Sequence, residues 1–398
     1  MDTPQHQDPK HYVVTVNGGS SSIKVAVFDV ANMQQQFTAR IENIGQQGTQ
    51  LIGDNETKAL PDINQQAAGD ALLTWLTGTI QGGVVVGVGH RIVHGGPHFY
   101  KPTLANEQAT RALEALLEFD PEHLPAALNL LNAFTKTFPH TPQILCFDTA
   151  FHHDLPTKSR LLPVPRTLEA KGVRRYGFHG LSYEYIMDEL RRVEGEVAAN
   201  GKIIIAHLGS GASVAALEGG KPIDTTMSMT PTSGIPMSTR SGDLDPGLLA
   251  YIARSEGYDR ERLQHVVNFE SGLLGISETT ADMKQLLDRE ATDSRAEDAV
   301  DIFCYHVTKT IGAFVAALGG INTLVFTGGI GEQAPKIRAR VCSGLDFLGI
   351  TLDDTRNQAN ERLISVDGGA TGVHVIHTNE AATIAKHTAH LLQQGGKS

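Results

Sequence analysis

The chain has 398 residues, more than one ordinary hydrophobic core organises, and suits about two or three domains. With 40% apolar and 19% charged residues its composition is globular, and its net charge of -11 argues against a general binder of nucleic acid or anionic membrane, which needs clustered Lys and Arg. Cys146, Cys304 and Cys342 form no CxxC pair, which argues against a disulfide scaffold or zinc knuckle and fits a reducing cytoplasm.

Residues 1–10, MDTPQHQDPK, are polar, lack the apolar stretch of a secretory signal and read as a disordered tail. No later run approaches the ~18 apolar residues of a membrane helix. Strands are expected at 12–16 and 23–30, joined by Asn17-Gly18-Gly19-Ser20-Ser21-Ser22. That join is either a permissive hairpin turn or a cradle whose backbone N–H and hydroxyl groups hold an anion. A helix at 67–80 precedes a strand at 84–88, and then comes GHRIVHGGPHF, residues 89–99. Arg91 is a candidate anion clamp beyond that strand, where α/β proteins place ligands. His90, His94 and His98 are spaced by four, so a metal site is an alternative, although Gly95-Gly96-Pro97 cannot continue a helix. Helices at 105–118 and 124–137 lead to a strand at 144–147 that ends at Asp148, which could meet a metal or a nucleophile, or cap a turn.

RRYGFHGLS, residues 174–182, offers His179 beside two arginines and two glycines, as a phosphate contact or a structural histidine. A helix at 181–195 follows, then strands at 202–207 and 213–217 around Gly209-Ser210-Gly211. Setting Asn17 over His207 superposes the two turns at an offset of 190 residues. A repeat near half-length points to two related domains rather than a solenoid, and two such turns at one cleft could hold a polyphosphate. The stretch 225–247, TTMSMTPTSGIPMSTRSGDLDPG, carries one cation, Arg240, among hydroxyls and loop amides; it is an oxyanion site or a long surface loop. Helices are expected at 246–256, 281–290 and 296–318, then a strand at 323–327 that ends in GGIGEQ, where backbone could pass close to a nucleoside. The last helix, 379–394, starts with Asn379 and Glu380, positioned to cap it or to hold Mg²⁺. Strands mixed with helices make this an α/β chain. There is no GxxxxGK[ST], GxSxG or HExxH, so a kinase reading needs another phosphate-binding scheme.

NGGSSSIK, GHRIVHGG, FDTAFH, RYGFHG, HLGSGAS, MTPTSGIPMSTRSGDLDPG, FTGGIGE and TNE, taken in order and spacing, resemble the acetate kinase family from about residue 13 to 390. The resemblance implies two RNase-H-like α/β domains of the acetate and sugar kinase/Hsp70/actin fold, duplicated, with an interdomain cleft. It places one domain at 11–150, with the helix 381–398 returning to it, and a nucleotide-binding domain at 151–380. It also implies ATP, Mg²⁺ (or Mn²⁺) and a short carboxylate such as acetate, giving an acyl phosphate and ADP, in a cytoplasmic homodimer. By matching position, Arg91 and Arg240 would flank the carboxylate and the transferring phosphoryl group. Asn17 would touch phosphate or the metal's water shell, Asp148 and Glu380 would organise Mg²⁺, and His179 would donate to the phosphoryl group. Ser20, Ser22, Lys24, His207, Leu208, Gly209, Ser210 and Gly211 would line the nucleotide phosphates. Asp282, Met283, Lys284, Gly329, Ile330 and Gly331 would hold the adenosine, and Val93, Phe178 and Pro231 would wall the acyl pocket.

The chain departs from the family pattern at several positions. Gly18 and Gly328 stand where Ala is frequent, Ser210 where Asn is, and Lys284 where Arg is. PEHLP, residues 121–125, stands where PLHNP is typical, so Glu122 takes a pocket leucine's place, and acyl-chain preference is left open. A carboxylic acid of pKa about 4 is ionised at pH 7 and needs no base to attack phosphorus, so Asp148 should orient or bind metal rather than remove a proton. The alternatives are a propionate or other short-chain kinase, a sugar kinase, and a non-catalytic actin-like switch.

Overall fold

A computed structural model describes residues 9–19 and 21–395. These form two units, one running to Ala150 and taking back the chain from Asn379, the other Phe151–Thr378.

The first unit is built on an eight-stranded sheet. Its strands are β1 (His11–Gly18), β2 (Ile23–Asp29), β3 (Gln35–Glu42), β4 (Gln50–Gly53), β5 (Thr57–Ala59), β6 (Val84–Ile92), β7 (Thr103–Leu104) and β8 (Gln143–Phe147), in the order β5-β4-β3-β2-β1-β6-β8-β7. β1 to β5 form an antiparallel meander, whereas β1, β6 and β8 run parallel. Alternation along β1 splits its side chains between two faces. Tyr12, Val14 and Val16 pack with Leu72 and Leu76 of the helix Gln65–Thr79 and Phe134 of the helix Leu124–Thr137. Val13, with Ala26 and Phe28 of β2, packs under Ala385 and Ala389 of the C-terminal helix Glu380–Gly395. Burying each of the larger side chains contributes about 1.5–3 kcal/mol. Gly89 of β6 makes the helix contact possible, because a Cβ there would lie 2.3 Å from Thr388 Oγ1 and 2.4 Å from Ile384 Cγ2.

The second unit has a five-stranded sheet of β9 (Lys202–Leu208), β10 (Ala212–Glu218), β11 (Lys221–Thr225), β12 (Thr323–Thr327) and β13 (Gly372–Val375), in the order β11-β10-β9-β12-β13. β9, β10 and β11 are antiparallel neighbours, and β12 and β13 continue parallel to β9. Ile203, Ile205, Leu217 and Val325 meet Tyr183, Ile186 and Leu190 of the helix Gly180–Ala199. The order β3-β2-β1-β6-β8 of the first sheet recurs strand for strand, with the same pairing senses. The 190-residue echo is therefore a duplicated α/β unit, each copy opening on a hairpin.

Three expectations are corrected. β1 runs on through Gly18, so Asn17 and Gly18 belong to the strand and not to the join that follows it. β6 continues to Ile92, so Arg91 lies within the strand rather than beyond it. The helix expected at 105–118 is only Glu107–Glu114. Among the described residues, no helix is long and apolar enough to cross a membrane.

Candidate active site

In the first unit, the parallel strands place three polar side chains side by side near their C-terminal ends. Val16 of β1 pairs with His90, and Arg91 of β6 pairs with Cys146 of β8. Asn17, Arg91 and Asp148 therefore become lateral neighbours. Arg91 Nη2 lies 2.6 Å from Asp148 Oδ2, its Nε donates to both Asp148 oxygens, and its Nη1 donates to Asn17 Oδ1 at 3.0 Å. Asn17 Nδ2 donates to Glu380 Oε2 at 2.9 Å, and the same oxygen is 3.8 Å from Arg91 Nε. A guanidinium has five N–H groups, and three are engaged here, which leaves two for another oxyanion. Burial alone would drive the Arg91 charge off, but the carboxylates of Asp148 and Glu380 outweigh it and hold the group protonated. Burial pushes the Asp148 carboxyl up; Arg91 opposes this and the like charge of Glu380 adds to it.

Two carboxylates, Asp148 and Glu380, lie against the one Arg91 guanidinium. With the Asn17 amide oxygen, this is an all-oxygen donor set of the kind that suits Mg²⁺ or Mn²⁺. Among the described residues, no group of three or more His, Cys, Asp and Glu is placed for a metal. The histidine triplet is taken apart by the fold. His90 Nε2 is bonded to Gln143 Oε1, His94 Nδ1 accepts the Gly96 N–H, and His98 is exposed. That zinc alternative is thereby overturned.

In the second unit, the histidines gather at the corresponding strand ends. His179 is the N-cap residue of the helix Gly180–Ala199, held at φ 57°, a left-handed backbone that a bulky residue rarely adopts. Its ring stacks on that of His207 with centroids 4.3 Å apart. A Cβ on Gly211 would sit 3.1 Å from His179 Nε2 and 3.5 Å from Arg240 Nη1. A histidine, an arginine and a side-chain-free backbone thus converge on one spot, as an oxyanion requires. Arg240 is steadied by donating to Pro231 O at 3.1 Å. The Gly209 N–H donates to Gly211 O at 3.1 Å, closing the turn on itself. Ser210 O accepts from Ser238 N, tying the turn to the long loop.

The glycine turn after β12 begins the helix Gly328–Gln333. Gly328 has φ 76°, and a Cβ would lie 2.7 Å from Leu208 O, so glycine is the residue that fits this backbone. Glu332 Oε1 accepts from Gly328 N and Thr378 N, and its Oε2 pairs with His377 Nδ1. Beneath the turn, the fully buried Arg338 donates to the carbonyls of Gly331 and Glu332 and to Asn357.

The other expected positions fall as follows. Ser22 is half-buried and Lys24 is exposed opposite Asn17, whereas Ser20 lies outside the described residues. Asp282 caps the helix Met283–Arg289 through Gln285 N, Met283 is buried and Lys284 is exposed. Leu208, Val93, Phe178 and Pro231 are buried, and the Phe178 carbonyl bonds His152 Nε2 at 3.0 Å. Gly329 is exposed and Ile330 half-buried. Leu124 is buried among Ile92, Leu128 and Phe147, and Glu122 is half-buried. Sequence reasoning missed Tyr183, Ser213 and Arg338. Tyr183 stands one helical turn after His179 and Ser213 directly across from His207, spacings that could have drawn attention to both.

The duplicated α/β unit thus carries an arginine–carboxylate cluster in one copy and a histidine–arginine–glycine cluster in the other. The acetokinase family model matches residues 12–386. The acetate kinase of Carboxydothermus hydrogenoformans is 39% identical over 394 residues, covering 96% of this chain and 99% of its own. The propionate kinase structure from Francisella tularensis subsp. tularensis SCHU S4 superposes with a TM-score of 0.90 at 33% identity, covering 96% of this chain and 99% of that one. The Porphyromonas gingivalis acetate kinase structure does so with a TM-score of 0.85 at 32% identity, covering 96% and 100%. The chain belongs to the acetokinase family.

Proposed function

We propose that this chain catalyses reversible transfer of a phosphoryl group from ATP to acetate, giving acetyl phosphate and ADP by direct in-line transfer. The observation that carries the reading is the Arg91 cluster. Its guanidinium is fixed by Asp148 and Asn17 while two N–H groups remain to meet an anion. Acetate is already ionised at neutral pH, so the reaction lacks a proton to remove. Asp148, engaged on both oxygens by Arg91, suits a positioning role and not that of a base. Bringing an anionic acid to an anionic phosphate is the main barrier, and fixed cationic donors lower it by stabilising charge on the equatorial oxygens. Arg91 would hold the carboxylate, and Arg240 and His179 would donate to the transferring group. Gly211 leaves room for it. His207, Leu208 and Ser210 would line the nucleotide phosphates together with Ser20, Ser22 and Lys24. Gly329–Gly331, Asp282, Met283 and Lys284 would hold the adenosine. Asp148, Glu380 and Asn17 would hold Mg²⁺, which when bound offsets phosphate charge. Homodimeric assembly and a cytoplasmic location belong to the same reading.

A second reading is favoured by the propionate kinase likeness and by Glu122, the departure from the family's PLHNP pattern: propionate or another short acid is the better substrate. Incubation with ATP, Mg²⁺ and acetate, propionate or butyrate, with hydroxylamine trapping of the acyl phosphate, separates the readings. The highest kcat/KM is expected for acetate. A higher value for propionate selects the second reading, and no hydroxamate with any acid overturns both.

A further inference from the structure

Behind His179 lies a chain of hydroxyls. Tyr183 Oη is 2.6 Å from Ser213 Oγ, and Ser213 Oγ is 2.8 Å from His179 Nδ1. All three side chains are buried. Tyr183 is fully enclosed, and burial pushes its phenol well above its ordinary range, so it keeps its proton. A buried hydroxyl proton needs an acceptor, and among the described residues the one bonded to it is Ser213 Oγ. Ser213 thus receives from Tyr183, and its single proton points along its other contact, to His179 Nδ1. Nδ1 then accepts, and the one proton of a neutral ring sits on Nε2. Nε2 is the atom beside Gly211 and Arg240.

Charge agrees with this assignment. An imidazolium at His179 would put a second cation beside Arg240 Nη1 and against the stacked ring of His207. It would also place a proton on Nδ1 against the Ser213 proton. His207 is held in the same manner, its Nδ1 2.9 Å from Ser182 Oγ, the residue before Tyr183.

We propose that Tyr183 and Ser213 form a hydroxyl relay that fixes His179 as its neutral Nε2–H tautomer, so that the ring presents a donor to the phosphoryl group without having to be protonated. Tyr183 and Ser213 are positioning residues that act through His179. The inference rests on the donor role proposed for His179, but the tautomer itself is a property of the resting protein.

The test combines two measurements on the full chain. Histidine labelled with ¹³C and ¹⁵N, assigned by comparison with His179→Gln, reports the tautomer by NMR. The wild type is expected to show Nε2–H, and Ser213→Ala a mixture of the two tautomers. An Nδ1–H ring or an imidazolium in the wild type at neutral pH overturns the relay. Tyr183→Phe removes one hydroxyl and keeps the ring packed, so it serves even where Ser213→Ala folds poorly; it too is expected to loosen the tautomer. Steady-state kinetics of Tyr183→Phe should show kcat lowered by about 10- to 100-fold, with KM for ATP within about twofold, as loss of an outer-shell orienting group does. Loss of the tautomer with unchanged kcat upholds the relay and overturns the donor role of His179. An unchanged tautomer in both variants overturns the relay.

Discussion

Removing Arg91 would leave Asp148 as a buried carboxylate with no guanidinium beside it, and the nearby Glu380 adds like charge. Breaking a buried pair on one side costs about 3–5 kcal/mol, most of it from the stranded partner. Arg91→Ala should therefore lower stability by about that much as well as abolish turnover. Adding Asp148→Asn should recover about 1 kcal/mol or more of the stability and none of the activity. Urea unfolding of the two single variants and the double variant measures the coupling, and additive effects would show that the pair is not the source. Arg91→Lys does not repair the site, since an ammonium cannot span Asp148 and Asn17 together as the fork does.

The fit between β6 and the C-terminal helix depends on the absence of side chains at Gly87 and Gly89. A Cβ at Gly87 would lie 2.7 Å from Leu392 Cδ1, and the space at Gly89 is tighter still. Gly89→Val should overpack this seam and lower stability by roughly 1–3 kcal/mol or more. Because Glu380 begins the displaced helix and bonds Asn17, turnover should fall too. Thermal unfolding and the hydroxamate assay check the two effects; a stable, fully active variant would refute the assigned packing. The elements legible in the sequence are those with uniform burial. The strands 12–16, 202–207 and 323–327 are mainly apolar runs and lie within observed strands. β3, QQFTARIE, was missed because its burial is mixed, and β13, GVHV, because it is short. The helix Arg260–Phe269 was missed because its sequence, RERLQHVVNF, is largely polar and it buries only Asn268. At the site, Arg91, Asp148 and His179 stand beside glycine or at strand ends, and Arg240 is the one cation of a long hydroxyl-rich loop, signals that one sequence carries. Tyr183 and Ser213 carry only their spacing from His179 and His207, a weak mark, because an orienting residue is recognised mainly by what it touches.

At the level of the molecule, each unit buries a neutral histidine. His90 in the first and His152 in the second are held down to about 4, in each case mainly by burial, with one hydrogen bond pulling back. A lowered histidine stabilises the fold above its unfolded value of about 6.5, and the contribution is lost as pH falls toward the folded value. The unfolded chain takes up the proton first. Between about pH 6.5 and 4 each histidine should therefore remove about 1.4 kcal/mol per pH unit. Chemical unfolding at pH 7 and 5.5 checks this: His90→Gln should flatten the slope of the first unit's transition by about one proton. An unchanged slope would place the acid sensitivity elsewhere.

The C-terminal helix also has a consequence for how the protein is made. A chain leaves the ribosome from its N-terminus, so β1 and β2 emerge before all of the second unit is synthesised. The face bearing Tyr12, Val14 and Val16 can be covered early by Leu72 and Leu76 of the helix Gln65–Thr79, which follows closely in sequence. The face bearing Val13, Ala26 and Phe28 must wait for Ala385 and Ala389, which follow the whole second unit in the chain. The Arg91 cluster waits with it, because Glu380 arrives on the same helix. Chains not yet extended past the second unit thus carry an exposed apolar face and an incomplete Arg91 cluster, and both are resolved by one docking event once that helix has been made.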